Sequence, residues 1–315
     1  MHRIRCCLLV MMVTGSSLTC WAQDTDSLVN HPDAPLTSSD SLSIFKLIDS
    51  LLQLEALNAT SRLAVRLSYN SNVLWAGRTL GIENFGLAPG ISYYHKTGLF
   101  TDLSGFWSQD FEPKYYLTII SGGYMHSLSP KFSFIASYDH YFYNLEEDYI
   151  PYNNALILSP FLDLRYITLR LDYSFYFGDE TAHRLMPSFG VTLQKKGFLK
   201  IDKLLFNPAV FALFGDATIT DITFPSTREE WLIAYLRMRQ GLPWYTITTE
   251  NVFGLMNYSF MIPLTVSHRN WNYSICYTYN IPKALPGETL TLSEAGFLSA
   301  SISYFINLKS KKSLL

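Results

Sequence analysis

One pattern constrains this chain more than any other. From Ser61 onward, apolar and polar residues alternate with a period of two, segment after segment, and turn residues separate the segments. Strands read near 62–70, 87–96, 99–108, 115–126, 131–143, 154–164, 166–177, 184–195, 198–214, 252–268, 271–281 and 295–308. In the seventh, Ile167, Leu169, Leu171, Tyr173 and Phe175 alternate with Thr168, Arg170, Asp172, Ser174 and Tyr176. In the eleventh, Tyr273, Ile275, Tyr277 and Tyr279 alternate with Asn272, Ser274, Cys276, Thr278 and Asn280. The twelfth repeats the pattern, with Phe305 as an exception on the polar side.

Composition decides what the two faces meet. Hydrophobic residues make up 48% of the sequence, with 21 Tyr, 21 Phe and 6 Trp. Yet beyond the N-terminus no run of about 18 apolar residues exists, which excludes a helical membrane protein. Strands with one face in lipid and the other in water satisfy both facts. Aromatic residues gather at strand ends, as in Tyr93-Tyr94, Phe106-Trp107, Tyr115-Tyr116, Tyr141-Phe142-Tyr143 and Phe175-Tyr176-Phe177, and read as two interfacial girdles. The fold class that follows is all-β, a transmembrane antiparallel up-and-down barrel of about twelve strands over residues 61–308.

The connections sort by parity. After even-numbered strands they are short: His95-Lys96-Thr97-Gly98, Ser127-Leu128-Ser129-Pro130, Arg165, Lys195-Lys196-Gly197 and His268-Arg269-Asn270. After odd-numbered strands they are longer, only modestly so after the third and seventh, and the ninth runs to about 35 residues. That asymmetry matches tight periplasmic turns and long external loops, and it sends both termini to the periplasm.

Ahead of the barrel, Arg3 and Arg5 precede an apolar stretch from Cys6 to Val13 and a small-residue junction at Ala22-Gln23, which reads as a secretory signal peptide over 1–22. Acylation at Cys20 is the alternative, although Ser17, Leu18 and Thr19 do not suit it. Removal of that segment leaves Cys276 alone, so an intramolecular disulfide or cysteine-based metal site is excluded. Residues 23–60 form a periplasmic lead-in. Its polar start is followed by an amphipathic helix carrying Ile44, Leu47, Ile48, Leu51, Leu52 and Leu54, which rests on the barrel end or membrane surface, or docks a periplasmic partner. A formal charge of −2 with no basic face argues against nucleic acid. Residues 309–315 are a tail.

Taken with the signal peptide and the strand count, the near-terminal Phe305-Ile306-Asn307-Leu308 resembles the small outer-membrane barrels of Bacteroidota. The resemblance covers residues 60–308 as an architecture and carries no catalytic motif. The tail from Lys309 departs from the pattern in which an aromatic residue ends the chain.

Charge within the predicted span is the sharpest functional signal, because a charge facing lipid at mid-depth costs roughly 2–4 kcal/mol. Arg66, Asp102, Asp139, Asp163, Arg170 and Asp172 all take inward positions by parity, and their mixed signs suggest pairs across a lumen. They either fill a closed interior or line a pore. A lipid-acting barrel enzyme needs a converging His, Ser and orienting group. No His-x-Ser occurs, and alternation sends His140 away from Ser137 and Asp139. The seven His are scattered, no metal-ligand spacing is present, and no cofactor is implied. In the longest connection Ser226 opens a capping box with Glu229, and Gly241 with Pro243 stops the element, so a helix spans 227–240. Trp231, Tyr235 and Met238 near one face suit a gate over the barrel mouth. These features point to a passive or weakly selective channel for small polar solutes, surrounded by outer-membrane lipid. The alternatives are a non-channel scaffold for a partner complex or a lipid-modifying enzyme, and a lumen filled by Tyr, Phe and paired charges favours the scaffold.

Overall fold

The computed structural model describes residues 60–71, 86–109, 112–144, 152–198, 201–286, 288 and 292–308. The signal peptide, the amphipathic lead-in helix and the tail lie outside these residues.

Fourteen strand segments form one antiparallel sheet that closes on itself. They are β1 (Ser61–Asn70), β2 (Gly86–Tyr94), β3 (Leu99–Ser108), β4 (Tyr115–Ser127), β5 (Phe132–Tyr143), β6 (Asn154–Leu164), β7 (Ile167–Phe177), β8 (Thr181–Val191), β9 (Leu193–Phe198), β10 (Ile201–Phe206), β11 (Ala209–Thr223), β12 (Thr246–His268), β13 (Trp271–Pro282) and β14 (Ala295–Leu308). The barrel has twelve strands, because β8 and β9 are one strand broken at Thr192, and β10 and β11 are one strand broken at Asn207-Pro208. Pro208 has no N–H to give a ladder, which accounts for the second break. Closure runs through β1 on β14 at one seam and β11 on β12 at the other.

Register follows the alternation. Val65 on β1 lies opposite Ile91 on β2 and Tyr304 on β14, all outward, whereas Arg66 lies opposite Gly90 and Ser303, all inward. Leu67, Leu103, Ile120, Leu158, Leu169, Ile262 and Ile275 stand exposed on the outer surface. Such an apolar exterior around a polar interior belongs in a bilayer, where closure also leaves no unpaired edge. Outward aromatics mark both limits of that belt. Trp271 stacks on Tyr273 and packs against Tyr304 near one end, and Phe175 stacks on Phe177 near the other.

Every described connection at the end where Ser61 pairs with Leu308 is tight, while at the other end the β7–β8 connection is equally tight, three residues over 178–180 and not the six the spacing predicts, and the others are longer. Two connections at the Ser61–Leu308 end place a non-glycine residue in the left-handed region, Arg165 (φ 64°) and Arg269 (φ 55°), which allows a near-immediate reversal. One expected turn is moved. Lys195, Lys196 and Gly197 belong to strand β9, and the ladder continues to Phe198 opposite Ile201. The longest connection is also shorter than expected, because β11 and β12 pair onward as far as Thr223 opposite Thr246.

Those extra residues make a hairpin that leaves the barrel. β11 pairs with β8 only up to Gly215, and β12 pairs with β13 only from Asn257. Beyond those points the two strands pair with each other alone, after a bulge at Leu213/Phe214 that bends and twists the ribbon. Helix α1 (Arg228–Arg239) sits at its tip. The N-cap is Thr227 and the capping box closes with Glu230, one residue later than the Ser226–Glu229 pairing the spacing predicts. Ser226 instead sends both its N–H (2.7 Å) and its hydroxyl (3.0 Å) to the Glu230 carboxylate. At the other end Gly241 takes φ 76°, with Gly241 N donating to Met238 O and Leu242 N to Arg237 O, a Schellman closure.

Candidate functional site

Among the described residues, polar and charged side chains of many strands converge in the barrel interior. Five of the six expected charges are buried or half-buried there. On β1, the Arg66 guanidinium donates from Nη2 to Asp102 Oδ1 (3.2 Å) and Ser104 Oγ (3.0 Å) of β3. Ser92 of β2 donates to Asp102 Oδ1 (2.5 Å), and Ser104 to Asp102 Oδ2 (2.7 Å). β2 lies between the two charged strands, and Gly90 makes the pairing possible. A Cβ there would stand 2.9 Å from Arg66 Nη2 and 3.0 Å from Ser104 Oγ. A second network lies on the far side, where Arg170 Nε donates to Asp172 Oδ1 (2.7 Å) and Ser159 of β6 donates to the same oxygen.

Both of these pairs join near neighbours along the wall. Asp139 is buried opposite Ser121. Asp163 holds an inward register position but lies at the tight-turn rim, exposed, accepting from Thr168 Oγ1 (2.7 Å). Arg184, omitted from the expected charges although it lies in the predicted strand 184–195 with the parity of Ser188, is buried with its guanidinium 5.0 Å from the Tyr176 ring centre.

Aromatic residues form the larger omission. In each strand-end pair one ring faces out, as the girdle reading expects, but its neighbour faces in. Tyr94, Phe106, Tyr116, Tyr141 and Tyr176 are all buried inside. Towards the long-connection end, Phe106, Tyr116, Tyr141 and Tyr176 join Ala88, Met261 and Cys276 in an apolar cluster drawn from nine strands on both sides of the barrel. Towards the tight-turn end, Tyr94, Phe100, Met125, Phe161 and Phe305 form a second cluster. Inward side chains in an open bore would be wet. Their burial means that the bore at these two levels is taken up by protein, with the Arg66–Asp102 layer between them. Phe305 breaks the alternation on β14 because it belongs to the lower cluster.

Inward residues of intermediate exposure form two register rows: Gly123, Ser137, Ile157 and Ser174 on β4 to β7, and the more polar row Arg170, Ser188, Phe211 and Ser259 on β7, β8, β11 and β12, in which Phe211 also packs against the first apolar cluster. Asn280 of β13 continues the row, held by Ser259 Oγ (2.6 Å) and Asn257 Nδ2 (2.9 Å). The row presents hydroxyls, an amide and a neutralised arginine, groups suited to exchanging hydrogen bonds with a hydrated polar solute.

Helix α1 stands apart from the bore. Trp231, Tyr235 and Met238 are exposed, Ala234 is the buried residue of the helix, and Trp231 stacks on Trp244 of the same hairpin (5.7 Å between ring centres). Phe224 packs on Trp244 from the other strand (5.2 Å), so these rings hold the helix to its own hairpin. The Glu230 carboxyl is held below its ordinary value of 4.5 by the N–H groups of Ser226 and Thr227, with the Ser226 hydroxyl adding to them.

His140 faces outward against Phe142 (4.4 Å) while Asp139 faces in, so these neighbours do not converge. Among the described residues no three His, Cys, Asp or Glu side chains gather as metal ligands.

No protein-family model matches the sequence, and no curated protein matches it. Solved structures do. The KdgM porin is 11% identical over 77% of this chain and 98% of its own, with a TM-score of 0.42. The NanC porin is 8% identical over the same shares (TM-score 0.40), and a bacterial polysaccharide outer membrane secretin is 10% identical over 80% and 99% (TM-score 0.36). Likeness at this level says nothing about solute or selectivity, which rest on the side chains of this chain.

Proposed function

We propose that the protein is an outer-membrane channel for small polar solutes, with an off-centre path along β7, β8, β11 and β12. One observation carries this reading: beside two apolar clusters, the inward row Arg170–Ser188–Phe211–Ser259, continued by Asn280, keeps polar groups of intermediate exposure. Inward charge is locally neutralised in the Arg66–Asp102 and Arg170–Asp172 pairs, which supports weak charge selectivity. The same reading puts a signal peptide over 1–22, the tight turns and both barrel termini in the periplasm, and the hairpin outside the cell. The lead-in helix then lies on the periplasmic side, where it is available to a partner. Because Trp231 stacks within its own hairpin, we place closure in the bore and not at helix α1.

The test is single-channel conductance of refolded protein in a planar bilayer. Ser188→Trp and Ser259→Trp should lower conductance several-fold, while Ser299→Trp, on the far wall, should change it little. Equal effects at all three positions would remove the off-centre path.

A specific observation favours a second reading. Buried Tyr and Phe at two levels leave the barrel with a packed core, as a scaffold for partner proteins would have. Wild-type protein that is folded yet silent at every voltage would establish that alternative.

A further inference from the structure

The tight-turn end carries positive charge that the sequence keeps apart. Among the described residues, Lys96, Lys131, Arg165, Lys195, Lys196 and Arg269 stand exposed there, against the exposed acids Asp163 and Asp202. The chain as a whole has a formal charge of −2, so this basicity is local. Lys96, Lys131, Arg165 and Arg269 sit one to each in the turns β2–β3, β4–β5, β6–β7 and β12–β13. Far apart along the chain, they are set on one rim by closure of the barrel, which is why no basic face shows in the sequence.

Hydrogen bonds from the main chain fix that rim. Lys96 N donates to Ser61 Oγ at the start of β1 (3.3 Å), Asp163 N donates to Lys131 O (2.7 Å), Thr192 N donates to Tyr166 O (2.8 Å), and Arg269 N donates to the Asp202 carboxylate. Each turn is thus tied to an adjacent element through the backbone of the cationic residue or its neighbour, and the charged side chain takes no part in the tie. The two acids are engaged separately, Asp202 by Arg269 N and Asp163 by Thr168 Oγ1 (2.7 Å). Among the described residues, none of the four turn cations is paired with a carboxylate.

Beside each cation the apolar belt begins. Phe132 follows Lys131, Tyr166 follows Arg165 with the guanidinium 5.0 Å from its ring centre, Trp271 lies two residues after Arg269, and Leu99 lies three after Lys96; all four are exposed. Such an arrangement, repeated round a perimeter, lets apolar side chains meet acyl chains while the ammonium or guanidinium meets the headgroup. An acidic protein partner would instead call for a polar patch without an apolar fringe at every turn.

We propose that the tight-turn rim is a docking surface for anionic glycerophospholipid, with headgroup phosphates held by Lys96, Lys131, Arg165 and Arg269. Zwitterionic lipid carries the same phosphate but no net charge, so the rim favours phosphatidylglycerol over phosphatidylcholine. This preference needs neither an open bore nor a given direction of insertion, and it stands apart from the channel reading.

The experiment refolds full-length protein into vesicles of equimolar phosphatidylcholine and phosphatidylglycerol, extracts it in mild detergent, and measures both lipids that stay bound. Heat-modifiable gel mobility shows that each barrel is folded. Wild type should retain phosphatidylglycerol several-fold over phosphatidylcholine, and less so at high salt. The triple variant Lys131→Gln/Arg165→Gln/Arg269→Gln should bring the two lipids to parity, whereas Lys114→Gln/Arg228→Gln/Arg239→Gln, which removes as much charge from the long-connection end, should keep the preference. Parity in wild type, a preference that survives the rim substitutions, or an equal loss from both triple variants overturns the proposal. Should the rim triple variant fail to fold, Lys131→Gln and Arg165→Gln singly should each lower the preference, and unchanged values for both overturn it as well.

Discussion

Arg66 and Asp102 face each other across β2 because that strand offers only Gly90 between them, and the pair is buried by the clusters above and below. A buried ion pair of this kind adds little net stability compared with apolar residues of similar size, but removing one partner strands the other. Asp102→Ala should therefore cost about 3–5 kcal/mol, read as a lower urea midpoint of the refolded barrel. The double variant Arg66→Met/Asp102→Leu should recover most of the loss. If the single and double variants are equally destabilised, the pair is not what the aspartate serves. Gly90 belongs to the same unit, since any side chain there displaces the guanidinium.

At the scale of elements, the hairpin formed by the ends of β11 and β12 behaves as a unit separate from the barrel wall. Its helix is held by a capping box at one end, a glycine closure at the other, and the Phe224–Trp244–Trp231 stack between. Glu230 gives this unit a pH dependence. Its folded carboxyl titrates below the unfolded one, so its contribution is complete above the ordinary glutamate range and is lost as pH falls through the lowered value. Fluorescence of Trp231 and Trp244 should thus be flat at neutral pH and change in a step below pH 4.5, and Glu230→Gln should abolish the step. A step that survives the substitution would assign it to another carboxylate.

For the whole molecule, the even number of barrel strands and the short connections at the Ser61–Leu308 end, against mostly longer ones at the other, set the orientation proposed above. In a Cys276→Ser background, single cysteines at Arg228 and Glu180 should label from outside intact cells, whereas one at Lys131 should not. Labelling at Lys131 alone would invert the barrel and transfer the hairpin to the periplasmic side.

Much of this was legible in the chain before its structure. A period of two over many segments imposes strands with unlike faces, and an apolar face with no partner layer imposes a lipid environment, so the barrel and its strand number followed from local pattern, while the turn expected at Lys195-Lys196-Gly197 did not. The loop helix followed too, within one residue of its cap, because caps act through residues three or four apart. What the tertiary structure decided were matters of cross-strand distance. Arg66 meets Asp102 because a glycine separates them in register. Tyr116, Tyr141 and Tyr176 share one apolar cluster because the curvature of the wall brings their inward rings together. None of these pairings is close in sequence, and alternation alone tells which face a residue takes, never what it meets there.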